Sequence, residues 1–216
     1  MNFIVKLPEF NAMNAPDSPA TDCFSDFASP LGLLRIRHDG HAIFALDYLC
    51  AADSTTTDPN TKPTTAPVRT ALPLAWRQAL ADYFAGDLDA LLSLPVSLRQ
   101  GTAFQQQIWL ALRQIPAGQI YTYTQLAQAI GRPQAVRAVG QALSKNPISI
   151  VLPCHRVILQ SGGLGGYAGS SNLGQTRKQF LLWHECGFGA NRTPSSPPQE
   201  RVKQPKIKTK PSHTTI

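Results

Sequence analysis

The feature that limits the fold most is the way proline and glycine divide the second half of this 216-residue chain into short helical segments. Thr102 can cap a helix over residues 104–114, because its side chain can accept a hydrogen bond from a free backbone N–H. Pro116 and Gly118 then end that helix. This stretch therefore predicts one short helix with a defined beginning and end.

Two further short helices follow around a glycine. Residues 122–125, Thr-Tyr-Thr-Gln, match a capping box and open a helix over 125–130. Gly131 lies past its end, and Pro133 suits the first turn of another helix over 134–144. Two short helices around a turn that contains glycine predict a helix-turn-helix.

The helix over 134–144 has two apolar sides. The first can face the core and consists of Val136, Val139 and Leu143. The second holds only small side chains, those of Ala135, Ala138 and Ala142. Arg137 and Gln141 lie between the two sides. The small side would let the backbone approach a ligand closely while Arg137 projects, and tight helix–helix packing is the equally favoured alternative.

The first half of the chain predicts a β-hairpin and a helix. Two alternating apolar runs within residues 31–49 flank the sequence His-Asp-Gly-His, as in a hairpin. Residues 51–71 are rich in Thr, Pro and Asp and are interpreted as a connector. Residues 75–84 resemble an amphipathic helix, with Gly86 just past its end.

The composition of the two ends is typical of disorder, which leaves two domains between them. Residues 1–22 lack periodicity, and 190–216 form a basic, proline-rich tail. The expected domains are therefore 23–98 and 99–189. Neither a secretory signal nor an apolar run near the roughly 18 residues of a membrane span is recognised, so a cytoplasmic location is expected.

The charges of the chain are distributed unevenly. Residues 1–98 have a net charge of −5, whereas residues 99–189 hold 8 Lys and Arg against one acidic residue, for a net +7. The tail adds +5. Such a basic segment is expected to attract a polyanion, with nucleic acid as the first candidate. A solvated basic face is the alternative, and charge alone does not decide between them.

The four cysteines favour a reduced setting without a metal site. They are spread out without a Cys-x-x-Cys spacing. A zinc site can be imagined from four residues of the first half, Cys23, His38, His41 and Cys50. Because no two of them have the spacing of a structural zinc site, no metal is expected.

Cys154 is the candidate for chemistry. A thiol becomes a good nucleophile when a base or a positive charge favours the thiolate, and His155 and Arg156 are adjacent. In an extended stretch Cys154 and His155 would point to opposite sides, so that a water molecule could relay the proton. Glu185, the only acidic residue of 99–189, ends an apparent helix over 178–185 and can orient the histidine. A buried structural cysteine is the alternative.

Residues 99–187 resemble the O6-alkylguanine-DNA alkyltransferases, also called methylated-DNA–protein-cysteine methyltransferases. Residues 153–157, Pro-Cys-His-Arg-Val, match the active-site signature of that family. Further matches occur in order along the chain, at residues 101–109, 115–118, 123–127, 137–140, 146–147, 166–169 and 181–185. The resemblance implies an α+β fold with a small, ribonuclease H-like α/β domain at the N-terminus and a mainly helical C-terminal domain with the helix-turn-helix.

The resemblance also implies a reaction and a set of catalytic residues. Cys154 would take the alkyl group from O6 of guanine, or possibly from O4 of thymine, and would not be regenerated. His155 would be the water-mediated base, and Glu185 its orienting partner. Asn146 would bridge the helix-turn-helix to the active-site segment. No cofactor is expected, because the damaged DNA itself is the alkyl donor.

DNA contacts and a base pocket are implied in the same way. Tyr123 would press on the phosphate beside the target base, and Arg137 would fill the space that the base leaves in the stack. The full set of expected contacts with double-stranded DNA is Tyr123, Arg137, Ala138, Gly140 and Lys178. Lys178 is also expected near the O6 leaving group. The flipped base would meet Leu143, Val157, Tyr167 and Ala168. The protein is expected to act as a monomer.

The sequence departs from the family pattern at three places. Ala168 stands where many members have a serine, the loop over 170–177 is longer than expected, and Gln141 and Leu143 occupy variable positions.

A non-catalytic damage-recognition protein would lack Cys154. A transcription regulator would need a further effector region, and 153–156 resembles no cysteine-protease motif.

Overall fold

The computed structural model describes residues 22–49, 68–168 and 172–187. Within these ranges it contains six strands, five α-helices and two short 3-10 helices. The fold is therefore mixed α+β, with a small sheet and several helices. The predicted loose ends, 1–22 and 190–216, lie outside the described residues except for Asp22, whose carboxylate pairs with Arg99. None of the described helices is long and apolar enough to cross a membrane.

A four-stranded sheet forms the N-terminal region, residues 22–98. Its strands are β1 Cys23–Ser29, β2 Gly32–His38, β3 Ile43–Tyr48 and β4 Val68–Arg69, in the order β3-β2-β1-β4. The predicted hairpin is confirmed as the antiparallel pair β2–β3. The predicted connector over 51–71 includes a short strand that the sequence did not predict, because β4 pairs there in parallel with β1.

A buried polar cluster joins β1 and β2 to the backbone that follows β4. Ser25 donates a hydrogen bond from its hydroxyl to the carbonyl oxygen of Thr70, at 2.8 Å. His38 must therefore donate from Nε2 to that hydroxyl, over 3.0 Å. The backbone N–H of Gly40 donates to His38 Nδ1 at 3.2 Å. Both ring nitrogens of His38 are thus occupied.

The predicted helices of residues 75–84 and 104–114 are confirmed with shifted ends. Helix α1 covers Leu74–Ala85 and ends at Gly86, whose φ of 116° is in the left-handed region that favours glycine. Helix α2 covers Ala103–Leu112. Thr102 caps α2 together with Gln105 in a full capping box, which sets where the helix begins.

Helices α3 and α4 lie on either side of the predicted turn at Gly131. Helix α3, Tyr123–Ala129, begins at the capping box of Thr122 and Gln125. Helix α4, Val136–Ser144, begins two residues later than predicted. Of the two alternatives for its small side, helix–helix packing applies at Ala142, which is buried and whose carbonyl oxygen accepts a hydrogen bond from Trp109 Nε1 of α2.

The last described helix and a short strand pair close the fold. Helix α5 covers Asn172–Gly187 and is longer than the predicted 178–185. Strands β5 Tyr121–Thr122 and β6 Val157–Ile158, which the sequence did not predict, pair in parallel. This pair connects the start of α3 to the segment that follows Cys154.

The N-terminal region packs directly on the C-terminal region, residues 99–187. Buried side chains from both regions form one continuous core. The N–H of Leu46 in β3 donates to the carbonyl oxygen of Pro147 at 2.8 Å. Arg113 reaches back to the carbonyl oxygen of Leu92 at 2.6 Å. The two regions are therefore held together by polar contacts as well as by apolar burial.

Candidate active site

Cys154 lies at the start of a 3-10 turn, Cys154–Arg156, so the expectation of an extended stretch is wrong. The N–H of Arg156 donates to the carbonyl oxygen of Pro153 at 3.0 Å and closes the turn. Successive side chains of a 3-10 turn are about a third of a turn apart, whereas those of a strand point to opposite faces. Cys154 and His155 can thus both face the interior.

The segment before Cys154 is held in an unusual conformation. Ile150 has a φ of 74° although it is β-branched and only 1% exposed. Asn146 fastens this segment by donating from Nδ2 to the carbonyl oxygen of Leu152 at 2.7 Å. It also accepts from the N–H of Ile148 at 3.1 Å. The side chain of Asn146 therefore connects the end of α4 to the residues before the thiol.

The thiol of Cys154 lies in an environment with opposing effects on its ionisation. The residue is 7% exposed, and this burial raises the pKa of the thiol. A hydrogen bond with Asn146 and the positive charge of Lys178 act in the opposite direction. The balance favours a neutral thiol at rest, so that a base is needed to remove the proton.

Lys178 of α5 is fully buried. Its Nζ donates to the carbonyl oxygen of Val157 at 2.6 Å. Burial lowers the pKa of Lys178 to about 8, although the nearby Cys154 opposes this shift. The side chain has no exposed surface, and its positive charge acts on the thiol of Cys154.

Glu185 of α5 accepts four hydrogen bonds in the interior. Its Oε1 accepts from His155 Nε2 at 2.9 Å, from an Arg156 terminal nitrogen at 2.8 Å and from the Tyr83 hydroxyl at 2.8 Å. Its Oε2 accepts from Arg156 Nε at 2.8 Å. Burial raises the pKa of Glu185, but His155 and Arg156 together lower it by more. The pKa of Glu185 therefore lies well below its usual range.

The bond to Glu185 fixes the proton of His155. A carboxylate only accepts, so Nε2 of the imidazole carries the hydrogen. Nδ1 is buried and has no hydrogen-bond partner among the described residues. Burial lowers the pKa of His155, although the charge of Glu185 opposes this. The ring is therefore neutral, with Nδ1 available to accept a proton.

Three tyrosines, Tyr167, Tyr48 and Tyr123, act on the thiol site or pack against it. Tyr167 is 4% exposed, its ring centre is 6.3 Å from that of His155, and its hydroxyl is 2.7 Å from that of Tyr48 in β3. Tyr123, at the start of α3, is half-buried. Gly165 has a φ of 70°, and a Cβ there would lie 2.9 Å from the Tyr123 hydroxyl, so only glycine fits.

The other predicted contact residues divide between the surface and the core. Arg137 of α4 is exposed, and Ala138 is half-buried. Gly140 is also half-buried, and a Cβ at this position would lie at ordinary contact distance, 3.7 Å, from the Tyr123 ring. Three more predicted residues were assigned to the base pocket, namely Leu143 and Val157, which are buried, and Ala168, which is exposed with a φ of 43°.

Four further side chains complete the arrangement, and sequence reasoning named only one of them, Arg156, as a positive charge next to the thiol. Tyr83 and Arg156 bind the carboxylate of Glu185, and Tyr48 binds Tyr167. The fourth, Arg177, lies 4.1 Å over the ring of Tyr48 and is 8% exposed. The one available signal was the need of a buried tyrosine or arginine for a polar partner. Which partner it finds depends on the tertiary fold.

No cluster of metal-ligating side chains is found within residues 22–49, 68–168 and 172–187. The imagined zinc site included Cys50, which lies outside these ranges. His38, another of its members, has both ring nitrogens occupied by Ser25 and Gly40.

Known proteins resemble this chain in both sequence and structure. The family model described as 6-O-methylguanine DNA methyltransferase, DNA binding domain, matches residues 103–187. A methylated-DNA–protein-cysteine methyltransferase of Haemophilus influenzae is 39% identical over 162 residues, which are 74% of this chain and 83% of that protein. The crystal structure of Mycobacterium tuberculosis OGT in complex with DNA has a TM-score of 0.61 and 35% identity, and covers 76% of this chain and 92% of that one.

A further relative shares only part of its length. The methylated-DNA–protein-cysteine methyltransferase of Salmonella typhimurium is 56% identical over 106 residues. The match spans 49% of this chain and 59% of that protein.

Proposed function

The chain belongs to the 6-O-methylguanine DNA methyltransferase family, and on this premise we propose that it repairs O6-alkylguanine in double-stranded DNA by transferring the alkyl group to its own Cys154. One observation carries the proposal. His155 binds Glu185 through Nε2 and keeps a free, buried Nδ1 one residue away from a buried thiol. A neutral imidazole held in this way is suited to act as a general base.

The first step of the proposed reaction is removal of the thiol proton. It passes from Cys154 to Nδ1 of His155, through a bridging water molecule. The imidazolium that forms is stabilised by Glu185, which keeps its charge because Arg156 binds both of its oxygens. Lys178 and Asn146 stabilise the thiolate during this step.

The second step is an in-line displacement at the alkyl carbon. A bond forms between Cys154 Sγ and the carbon, and the bond from that carbon to guanine O6 breaks. The electron pair of the broken bond stays on the guanine. The guanine takes up one proton, equivalent to the one that His155 removed from the thiol, and becomes normal guanine, while His155 returns to its neutral form. The product is a thioether on Cys154. Because nothing in the reaction reverses this bond, each molecule acts once and needs no cofactor.

A base inside a duplex must be turned out before the thiol can reach its O6. In our proposal α3 and α4 form a helix-turn-helix, and the exposed Arg137 fills the space that the base leaves. Ala138 and Gly140 permit close approach of α4 to the DNA, and Tyr123 contacts the neighbouring phosphate. Flipping costs roughly a few kcal/mol, which the inserted side chain partly offsets. The net charge of +7 over 99–189 supports salt-sensitive binding to phosphates.

The flipped base and the rest of the fold complete the proposal. The pocket is formed by Leu143, Val157, Tyr167 and Ala168. A first domain over 23–98 is ribonuclease H-like, in agreement with its three antiparallel strands and a fourth strand parallel to the first. The second domain covers 99–189. The protein acts as a monomer in the cytoplasm, on the nucleoid if it is bacterial.

The test is covalent labelling. A duplex with a radiolabelled methyl group on guanine O6 is mixed with the full chain, and protein-bound label is counted after denaturation. We expect one label per molecule for the wild type and none for Cys154→Ala, which should still bind the duplex. The matched control is Cys186→Ala, which removes an exposed cysteine and should label fully. A wild-type protein that binds the lesion without taking up label would show a recognition protein instead.

A further inference from the structure

Tyr83 of the N-terminal region reaches the carboxylate of Glu185 in the C-terminal region. The residue is fully buried, and its hydroxyl donates to Glu185 Oε1 at 2.8 Å. Its own carbonyl oxygen accepts from His184 Nε2 at 2.7 Å. Two neighbouring residues of α5 are thus bound by one residue of α1. None of these contacts was expected from the sequence.

The hydroxyl of Tyr83 shares an acceptor with His155. Both groups donate to the same oxygen, Oε1, which also accepts from Arg156. Each donor draws charge from that oxygen, so the bond to His155 is weaker than it would be without the tyrosine. Burial and then the charge of Glu185 raise the pKa of Tyr83, and its hydroxyl therefore stays protonated and donating.

The strength of the Glu185–His155 bond decides how readily the imidazole holds a second proton. A stronger acceptor at Nε2 stabilises the imidazolium and so favours protonation at Nδ1. Among the described residues, the other groups around the ring make no hydrogen bond to the Tyr83 hydroxyl. They are the charged Arg156 and Lys178, the thiol of Cys154 and the ring of Tyr167.

We infer that Tyr83 is a positioning residue that limits the proton affinity of His155 through Glu185, so that the N-terminal region supplies part of the reactive centre. The inference rests on the proposed function, because a lower proton affinity of His155 is useful only if His155 accepts the thiol proton. The bonds that carry it are independent of any substrate. Tyr83 adds to the effect of burial, which lowers the pKa of His155, and so helps to keep the resting imidazole ready to take the thiol proton.

The experiment compares Tyr83→Phe with the wild-type full chain. Phenylalanine keeps the ring contacts with Phe84 and His184 and removes only the hydroxyl. The protonated fraction of His155 is followed by ¹⁵N NMR of histidine-labelled protein across pH 4.5–8, without DNA. We expect a larger protonated fraction in Tyr83→Phe at each acidic pH. Leu80→Val, also buried in α1, is the control for loosened packing.

A second readout is the single-turnover rate of methyl transfer over the same pH range. In Tyr83→Phe the rate should fall about threefold to tenfold on the acidic limb, since more His155 is already protonated, and should stay within about threefold above pH 8. An unchanged NMR titration overturns the inference, as does an equal shift in Leu80→Val. A wild type that never transfers methyl contradicts the proposed function alone, because the NMR result does not depend on transfer.

Discussion

Two buried histidines of this protein make opposite use of their rings. His38 in the sheet is 2% exposed and His155 beside the thiol is fully buried, and burial lowers the pKa of both. His38 has neutral partners at both nitrogens, the Ser25 hydroxyl and the Gly40 N–H. His155 has a carboxylate at one nitrogen and no partner within the described residues at the other.

The difference shows how a structural histidine can be distinguished from a reactive one. A second proton on His38 would face the N–H of Gly40, donor against donor, so protonation is opposed by the fold. A second proton on His155 would meet an open nitrogen, while Glu185 stabilises the charge. Burial is common to the two residues, and their different hydrogen-bond partners distinguish their chemistry.

The largest expected effect comes from removing the reactive ring. His155→Gln should lower the single-turnover rate of methyl transfer by about 100-fold to 10,000-fold, because general base catalysis typically contributes that much. The rate is measured by quenched-flow labelling at pH 8. The matched variant is His38→Gln, which should stay within about twofold of the wild type. Equal losses in both variants would contradict the division between the two histidines.

The next effect concerns Glu185, the carboxylate that accepts a hydrogen bond from His155 and has no counterpart among the hydrogen-bond partners of His38. In Glu185→Gln an amide N–H₂ must face the guanidinium of Arg156, so two donors oppose each other and a buried charge loses its partner. We expect a loss of about 3–5 kcal/mol in the free energy of unfolding, measured by urea denaturation.

The control for the carboxylate is an ion pair at the surface. Asp47→Asn breaks the pair with Arg37 and should cost less than about 1 kcal/mol. A comparable loss in the two variants would show that burial adds nothing to the Glu185 pair.

A smaller effect is expected from the structural histidine. His38→Ala leaves the buried hydroxyl of Ser25 without its donor and opens a cavity beside Trp76. We expect a loss of about 1–3 kcal/mol in the free energy of unfolding with an unchanged rate of methyl transfer. The two quantities are measured on the same protein by urea denaturation and by labelling. A rate that fell with stability would mean that His38 also serves the reaction.

The smallest effect is on the pH dependence of stability. The folded pKa of His38 is lowered, so between that value and the ordinary 6.5 the unfolded chain binds a proton that the folded chain does not. Stability is therefore lost as the pH falls below 6.5. The decrease in Tm between pH 7 and pH 5 should be smaller in His38→Ala than in the wild type, and calorimetry measures it. An identical decrease would mean that His38 is protonated equally in both states.

Features that depend on residues close together in the sequence could be predicted from it. The capping boxes at Thr102 and Thr122 have both partners three residues apart, so α2 and α3 were placed well. Strand β1 was missed because Ser25 occupies an inward position, where an alternating pattern expects an apolar side chain. Its burial is stabilised by His38, thirteen residues away, and no local pattern contains that information.

The candidate site was predictable in its outline and not in its polar network. Cys154, His155 and Glu185 stood out as a nucleophile, a neighbouring base and a lone carboxylate. The bond between Tyr83 and Glu185 joins residues 102 positions apart, and that between Tyr48 and Tyr167 joins residues 119 apart. Such pairs follow from how α1 and β3 pack on the C-terminal region, which depends on the whole core.

The position of α5 has a consequence for the newly made protein. During synthesis Cys154 leaves the ribosome before this helix, which carries Lys178 and Glu185. Until α5 docks, the cysteine has neither the ammonium group nor an oriented imidazole beside it, and it is an ordinary thiol with ordinary reactivity. The proposed reactive centre is therefore assembled only after α5 has been synthesised and has packed against the segment that holds Cys154.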